Sequence, residues 1–121
     1  MKVAIIGTRN PIVGYDEWVQ LLSRVTSEAK IEAKIEAVVS GGAKGVDSYA
    51  AHLAAENGIS LIEYLPEYSR YGRKATIIRN RKIVEAADVV IAFPSPNTSK
   101  GTYHSIDIAK RLNKKLIIHN L

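Results

Sequence analysis

Apolar residues gather in five short, nearly unbroken runs: Val3–Ile6, Ala37–Val39, Leu61–Leu65, Val89–Phe93 and Leu116–Ile118. Runs of this length without polar alternation predict strands covered on both faces, as parallel strands are. Helix-length stretches separate them. Val46, Tyr49, Ala50, Leu53 and Ala54 follow the i, i+3, i+4, i+7, i+8 rule of a helix with one apolar stripe, and Gly58 supplies its stop. Trp18, Leu22, Val25 and Ala29 give a similar stripe to a long first helix, and Ile106, Ala109 and Leu112 a shorter one to the last. A less periodic stretch from about Ala75 to Ala86 predicts the remaining helix. The segment Glu28–Ala37, EAKIEAKIEA, repeats with period 4 and is too short for a coiled coil. It predicts an extension of the first helix, fraying toward strand two because Glu28, Glu32 and Glu36 repel at i, i+4.

Strictly alternating strands and helices require right-handed crossovers. The expected fold is α/β: a single Rossmann-like three-layer α/β/α domain over residues 1–121, with a five-stranded parallel sheet in the order 3-2-1-4-5. In such a sheet ligands bind outside the carboxyl ends of the strands where the order reverses, here between strands one and four.

Composition narrows the function. At 46% hydrophobic and 24% charged residues the chain is an ordinary globule and not a disordered segment. No apolar run approaches the roughly 20 residues of a membrane helix, so no membrane partner is expected. The N-terminus enters a strand-like run directly after Lys2, so no signal peptide is expected either. The absence of cysteine excludes disulfides and thiolate chemistry and agrees with a cytoplasmic location. Lys and Arg number 17 against 12 Asp and Glu, and eleven of the basic residues lie in Arg70–Lys82 and Lys100–Lys115. Such clustering suits phosphates of a nucleotide or of a nucleic-acid backbone, and equally a solvated surface.

Three loops would open at one sheet edge: Gly7-Thr8-Arg9, then Ser40-Gly41-Gly42-Ala43-Lys44-Gly45-Val46-Asp47, then Pro94-Ser95-Pro96-Asn97-Thr98-Ser99-Lys100-Gly101-Thr102. Glycines in the second let the backbone turn tightly before a helix whose N-terminal amides and dipole favour an anion, so phosphate is expected just after Gly45. Asp47 serves either as a favourable first-turn carboxylate or as an acceptor for a ligand hydroxyl. Thr102 or Ser99 can cap the last helix or donate to phosphate. Arg9 and Arg79 are the candidates for charge-assisted bonds to it. Loss of Arg79 is expected to weaken phosphate binding by roughly 1.5 to 3 kcal/mol and to leave folding nearly unchanged.

Familiar alternatives fail on spacing. Gly7 is not followed by the G-x-G-x-x-G of dinucleotide-binding dehydrogenases, Lys100 precedes Gly101 where Walker A needs G-K-[ST], and no G-x-S-x-G elbow is present. His52, His104 and His119 are scattered, so neither metal nor cofactor is expected. His52 reads as a partly exposed helix residue, whereas His104, beside the third loop, remains a site candidate.

Together the three loops, Tyr71-Gly72, Ile78-Arg79-Asn80-Arg81 and Ala87-Asp88 resemble the SLOG superfamily. That Rossmann-like group includes the DNA-processing protein A family and the LOG cytokinin-activating nucleotide hydrolases. The pattern looks most like the small YspA/YpsA-related branch. The resemblance implies a nucleotide pocket lined by Gly7, Thr8, Arg9, Gly41, Gly42, Gly45, Asp47, Arg79, Asn80, Gly101 and Thr102, with Ser40, Ala43 and Lys100 completing the loops. LOG hydrolases carry an R-K pair and P-G-G-x-G-T-x-x-E. Here the lysine position is Asn80, the glycine pair is Ser95-Pro96 and the glutamate position is Ser105. A serine cannot supply a carboxylate's charge to an oxocarbenium-like transition state.

Three functions follow as expectations. The first is a cytoplasmic binding protein, or sensor, for a nucleotide or nucleotide-derived small molecule. The second is a LOG-type hydrolase of a nucleotide N-glycosidic bond, with Asp47 and Arg79 as its catalytic candidates. The third binds single-stranded nucleic acid, with Arg70, Arg73, Lys74, Arg81 and Lys82 on the backbone and Tyr68 or Tyr71 stacking on bases. The resemblance further implies a homodimer or higher homo-oligomer, with the region Arg70–Lys82 able to complete a neighbour's pocket.

Overall fold

The computed structural model describes residues 1–96 and 98–121. Strands β1 (Lys2–Gly7), β2 (Ala37–Ser40), β3 (Ser60–Glu63), β4 (Val89–Phe93) and β5 (Lys115–Ile118) form one parallel sheet in the order β3-β2-β1-β4-β5. Helices α1 (Tyr15–Glu28), α2 (Val46–Glu56), α4 (Ala75–Ala86) and α5 (Lys100–Arg111) make the crossovers, joined by a one-turn α3 (Tyr68–Tyr71) and a 3₁₀ turn over Gly72–Lys74. The sequence pattern does not predict α3 or that turn, which are too short to show a periodicity.

Alternation along each strand decides which helices it meets. Val3 and Ile5 of β1, with Val89, Ile91 and Phe93 of β4, pack against Trp18, Leu22 and Val25 of α1 and Val46, Ala50 and Ala54 of α2. Ala4, Ile6, Val90 and Ala92 face the other way, onto Ile83 and Val84 of α4 and Ile106 and Ala109 of α5. Both faces are covered, so the central strands are apolar throughout.

Three expectations need correction. The repeat EAKIEAKIEA does not extend α1, which ends at Glu28. Lys30 takes a left-handed conformation (φ 55°), its N–H donates to Ser27 O at 3.0 Å and that of Ile31 to Thr26 O at 3.1 Å, a Schellman stop. Ile31 and Ile35 then pack on the α1/α2 side of the core outside any helix. Strand three runs Ser60–Glu63 and not Leu61–Leu65, because pairing with β2 ends where Tyr64 N–H donates to Ser40 O. Leu65, just before Pro66, is left 61% exposed. Finally, β3 and β5 form the sheet edges and are largely exposed or half-buried, not buried on both faces.

Candidate functional site

The order reverses between β1 and β4, and the chain leaves these neighbours for opposite faces of the sheet. The segments after β1, β2 and β4 meet at that point. Thr8, buried, donates its N–H to Phe93 O at 2.9 Å, its Oγ1 accepts from Asn10 N–H at 3.1 Å, and its carbonyl accepts from Val46 N–H at 3.1 Å. Gly45, at φ 76°, makes this interlock possible: a Cβ there would lie on Thr8 O and 2.7 Å from the Arg9 carbonyl carbon. A crevice of about 340 Å³ opens above these contacts.

Asp47 and Arg79 give the crevice its electrostatics. Asp47 is 8% exposed, and its Oδ2 accepts from Ala43 N–H at 3.1 Å. Burial pushes its carboxyl above the ordinary carboxylate range, opposed by the Ala43 bond, the Arg79 charge, Gly41 N–H and Arg9. Arg79 donates from Nη1 to Gly41 O at 2.7 Å and from Nε to Asn80 Oδ1 at 2.9 Å. Burial lowers the guanidinium pKa, with Asp47 opposing. A Cβ on Gly41 would stand 2.7 Å from Arg79 Nη1 and 3.2 Å from Asp47 Oδ2, so a larger residue there would displace the guanidinium from this position. Asn80, buried, continues the chain of contacts from Nδ2 to His104 Nδ1 at 3.3 Å and more weakly to Gly101 O at 3.5 Å.

The two helix N-termini differ. At α2 the Val46 N–H is taken by Thr8 O and the Ala43 N–H by Asp47, which also brings a carboxylate to the spot where phosphate was expected. At α5 the N-cap residue Ser99 turns its Oγ toward Ser95 N–H at 2.9 Å, so neither helix has a side-chain cap and the difference lies in the Val46 N–H that Thr8 O takes at α2. The first amides of α5 have no intrahelical acceptor, and Lys100 stands beside them.

Residues 1–67 match the sequence model of the family described as DNA recombination-mediator protein A. The chain belongs to this family. It is thereby a SLOG-superfamily protein. Among curated proteins none matches it. Two solved structures share the fold. DNA processing protein A from Streptococcus pneumoniae superposes with a TM-score of 0.68 at 20% identity, over 97% of this chain and 49% of that one. The protein TM1055 does so with a TM-score of 0.66 at 22% identity, over 95% of this chain and 71% of that one. The chain thus spans about half the length of the S. pneumoniae protein.

Within this SLOG domain Gly7, Thr8, Arg9, Gly41, Ala43, Asp47, Arg79, Asn80, Lys100, Gly101 and Thr102 line the crevice. Four sequence candidates do not, among them His104, which stands behind the wall against Asn80. Ser40 is fully buried beneath it with Oγ accepting from Gly42 N–H at 3.3 Å, Gly42 abuts Leu65 and Glu63, and Gly45 is spent on the contact with Thr8 and Arg9. Asn97 of the third loop lies outside the described residues. Ile6, Ile83, Thr98, Ser99 and Ser105 also line the wall. Of these only Thr98 and Ser99 fell in a loop the sequence singled out. Ile6 reads as part of the first strand, Ile83 is not singled out by the sequence, and Ser105 reads as the place of a missing glutamate.

Arg79, a phosphate candidate in the sequence, lines the crevice and also braces the second loop against α4. Ser105 is buried and donates from Oγ to Gly101 O at 3.2 Å, within its own helix. Asp47 is the single carboxylate among the described lining residues. His52, as expected, is exposed on α2 and meets Glu56 at 2.6 Å. Much of the basic segment lies outside the crevice and is paired: Arg70 and Lys82 with Glu67 at 3.8 and 3.5 Å, Arg81 with Glu85 at 3.1 Å.

Proposed function

We propose that this protein binds a nucleotide or nucleotide-derived ligand in the crevice between β1 and β4, as a cytoplasmic SLOG domain of the YspA/YpsA-related kind acting as a homo-oligomer. The observation that carries the reading is the uncapped N-terminus of α5 facing Arg9 and the Asp47–Arg79 pair across one cavity of about 340 Å³. That volume is at the lower end of the roughly 300 to 1,000 Å³ of small-molecule sites. In this reading phosphate sits on the amides of Lys100, Gly101 and Thr102, with Lys100 and Arg9 supplying charge. Asp47 accepts from ribose hydroxyls. Binding without hydrolysis is the expected activity, because Ser105 and Asn80 stand where LOG enzymes carry a carboxylate and a lysine.

Amide shifts on titration with adenosine and guanosine monophosphates, adenosine diphosphate and inorganic phosphate test it. Shifts at Arg9, Gly41, Lys100 and Gly101 are expected. Shifts confined to the opposite sheet edge would refute it.

A second reading, binding of single-stranded nucleic acid, is favoured by one observation. Arg73 and Lys74 have no acidic partner within 4 Å among the described residues, close to Tyr68, which is 58% exposed. The name of the family, a mediator of DNA recombination, points the same way. A steep salt dependence of oligonucleotide binding, lost in Arg73→Ala/Lys74→Ala, distinguishes it.

A further inference from the structure

Arg79 stands between two cavities, the crevice and a hollow of about 290 Å³ beside Leu65 and Tyr71, so whatever fixes its guanidinium shapes both walls. Two bonds fix it: Nη1 to Gly41 O at 2.7 Å and Nε to Asn80 Oδ1 at 2.9 Å. The second leads on to α5. Asn80 Nδ2 meets His104 Nδ1 at 3.3 Å, and Gly101 O only at 3.5 Å.

Chemistry orients every atom of this relay. A guanidinium N–H can only donate, so the amide atom against it is the oxygen. The amide nitrogen is thereby turned to His104, and it too can only donate. Nδ1 of His104 must therefore be a bare acceptor, which makes the ring neutral with its single proton on Nε2. Protonation puts an N–H on Nδ1 and sets two donors against each other. Asn80 is 7% exposed, so its amide has little water to turn to. A half-turn of the amide restores a bond to the imidazolium, but it brings Nδ2 against Arg79 Nε, where no bond can form.

We propose that His104 is a positioning residue for Arg79: the neutral ring holds the Asn80 amide that holds the guanidinium, and proton uptake by the ring releases it. Histidine is the side chain that changes charge between about pH 5 and 8. The charged groups around His104 are Lys100 and Asp107, one turn away on α5, and Arg79 and Arg81, which adjoin Asn80 on α4; Arg81 is held by Glu85 at 3.1 Å. Strand β4 carries no titratable residue, and β5 has Lys115, exposed at its start. Around Arg79 stand Asp47, Tyr68 and Arg9. Asp47 also takes up a proton in acid, so a variant that keeps Asp47 but lacks the imidazole tells the two apart. In the nucleotide reading of the crevice, on which this consequence rests, release of Arg79 frees the Gly41 loop and lowers ligand affinity in acid.

Nitrogen-resolved NMR of the ligand-free chain between about pH 7.5 and 5 follows the His104 ring, the Asn80 side-chain amide and the Arg79 Nε–H in wild type, His104→Gln and His104→Ala. Glutamine offers an acceptor that takes up no proton, and His104 is only half-buried, so neither variant empties the core. The neutral wild-type ring should carry its proton on Nε2. The Asn80 and Arg79 signals should titrate with the ring, and protection of the Arg79 Nε–H from exchange should fall about tenfold or more, as loss of a bond from a charged group implies. His104→Gln should keep that protection throughout, and His104→Ala should lack it throughout. A neutral ring with its proton on Nδ1, Arg79 protection that ignores the ring's titration, or a titration that His104→Gln keeps overturns the inference. Calorimetry with the methyl ester of adenosine monophosphate, whose charge is constant over this range, reads the consequence: wild-type affinity should fall about fivefold or more in acid, the worth of one lost hydrogen bond, and that of His104→Gln should stay level. A pH dependence that both chains share overturns the inference. Absence of binding at every pH overturns the crevice reading instead, since the relay is read without ligand.

Discussion

Replacing Arg79 by alanine separates bracing from ligand binding. The substitution removes the Nη1 bond to Gly41 O at 2.7 Å and the cation that opposes desolvation of Asp47. A hydrogen bond to a charged group contributes about 1.5 to 3 kcal/mol, and the lower figure applies here because water can reach Gly41 through the open crevice. Arg79 is half-buried and lies beyond salt-bridge distance of Asp47, so the loss of its charge adds only part of the roughly 3 to 5 kcal/mol that breaking a fully buried ion pair costs, and Asp47 can escape some of it by taking up a proton. The expected loss at pH 7 is therefore about 3 kcal/mol, a large share of the roughly 5 to 15 kcal/mol of a domain this size.

The direction with pH follows from Asp47. Its folded-state pKa lies above the unfolded one, so its contribution to stability is fully present below the unfolded value and is lost as pH rises through the folded value. Without Arg79 that folded value climbs further. The cost of Arg79→Ala should then shrink toward the bare hydrogen bond, about 1.5 kcal/mol, once the solution is acidic enough to protonate Asp47 in both states. Urea unfolding of wild type, Arg79→Ala, Asp47→Asn and the double variant at acidic and neutral pH measures this. A coupling of about 1 kcal/mol or more should be seen at pH 7. Costs that add within about 0.5 kcal/mol and do not change with pH would refute the argument.

Other expectations are simpler. Asp47→Asn should flatten the fall in stability between the ordinary carboxylate range and neutrality, read as the difference between two pH–stability curves; curves that stay parallel count against burial as the cause. Gly45→Ala should cost about 3 kcal/mol or more, from its φ of 76° and the collision with Thr8 and Arg9, whereas Gly14→Ala, with open space and an ordinary φ, should be nearly neutral in the same thermal melts. Lys30→Gly should raise stability by about 1 kcal/mol by relieving the left-handed φ of 55° at the stop of α1, and an unchanged melting temperature would contradict that. Adenosine monophosphate incubated with the protein should release no adenine at LOG-like rates, since loss of a directed charge in such a site costs a factor of about 100 to 1,000; turnover that survives Ser105→Ala and vanishes in Asp47→Asn would show otherwise.

How much of this is legible in the sequence depends on how local each cause is. Alternating elements with right-handed crossovers narrow the sheet to a few orders, 3-2-1-4-5 and 2-1-3-4-5 foremost, and place the crevice at the carboxyl edge; the resemblance of the loops favours the order observed. The repeat after Glu28 misleads because helix propensity and period cannot report that the chain must turn to enter β2 beside β1. What ends α1 is a backbone stop at Lys30 together with the packing of Ile31 and Ile35 on the core. Leu65 misleads in a similar way: as a letter it continues a strand, but its partners run out at Glu63 and it serves a cavity wall instead.

The loops mark themselves by their glycines, but the same pattern cannot say how the two helix ends differ. That depends on Thr8 and Asp47 reaching the amides near α2 while Ser99 turns away from α5. Arg79 shows the limit most clearly. Its residue type predicts a phosphate ligand, and only the carbonyl of Gly41, 38 positions away, makes it a brace as well. A side chain that bonds the second loop and also lines two cavities owes its place to backbone far away in sequence, which residue type alone cannot report.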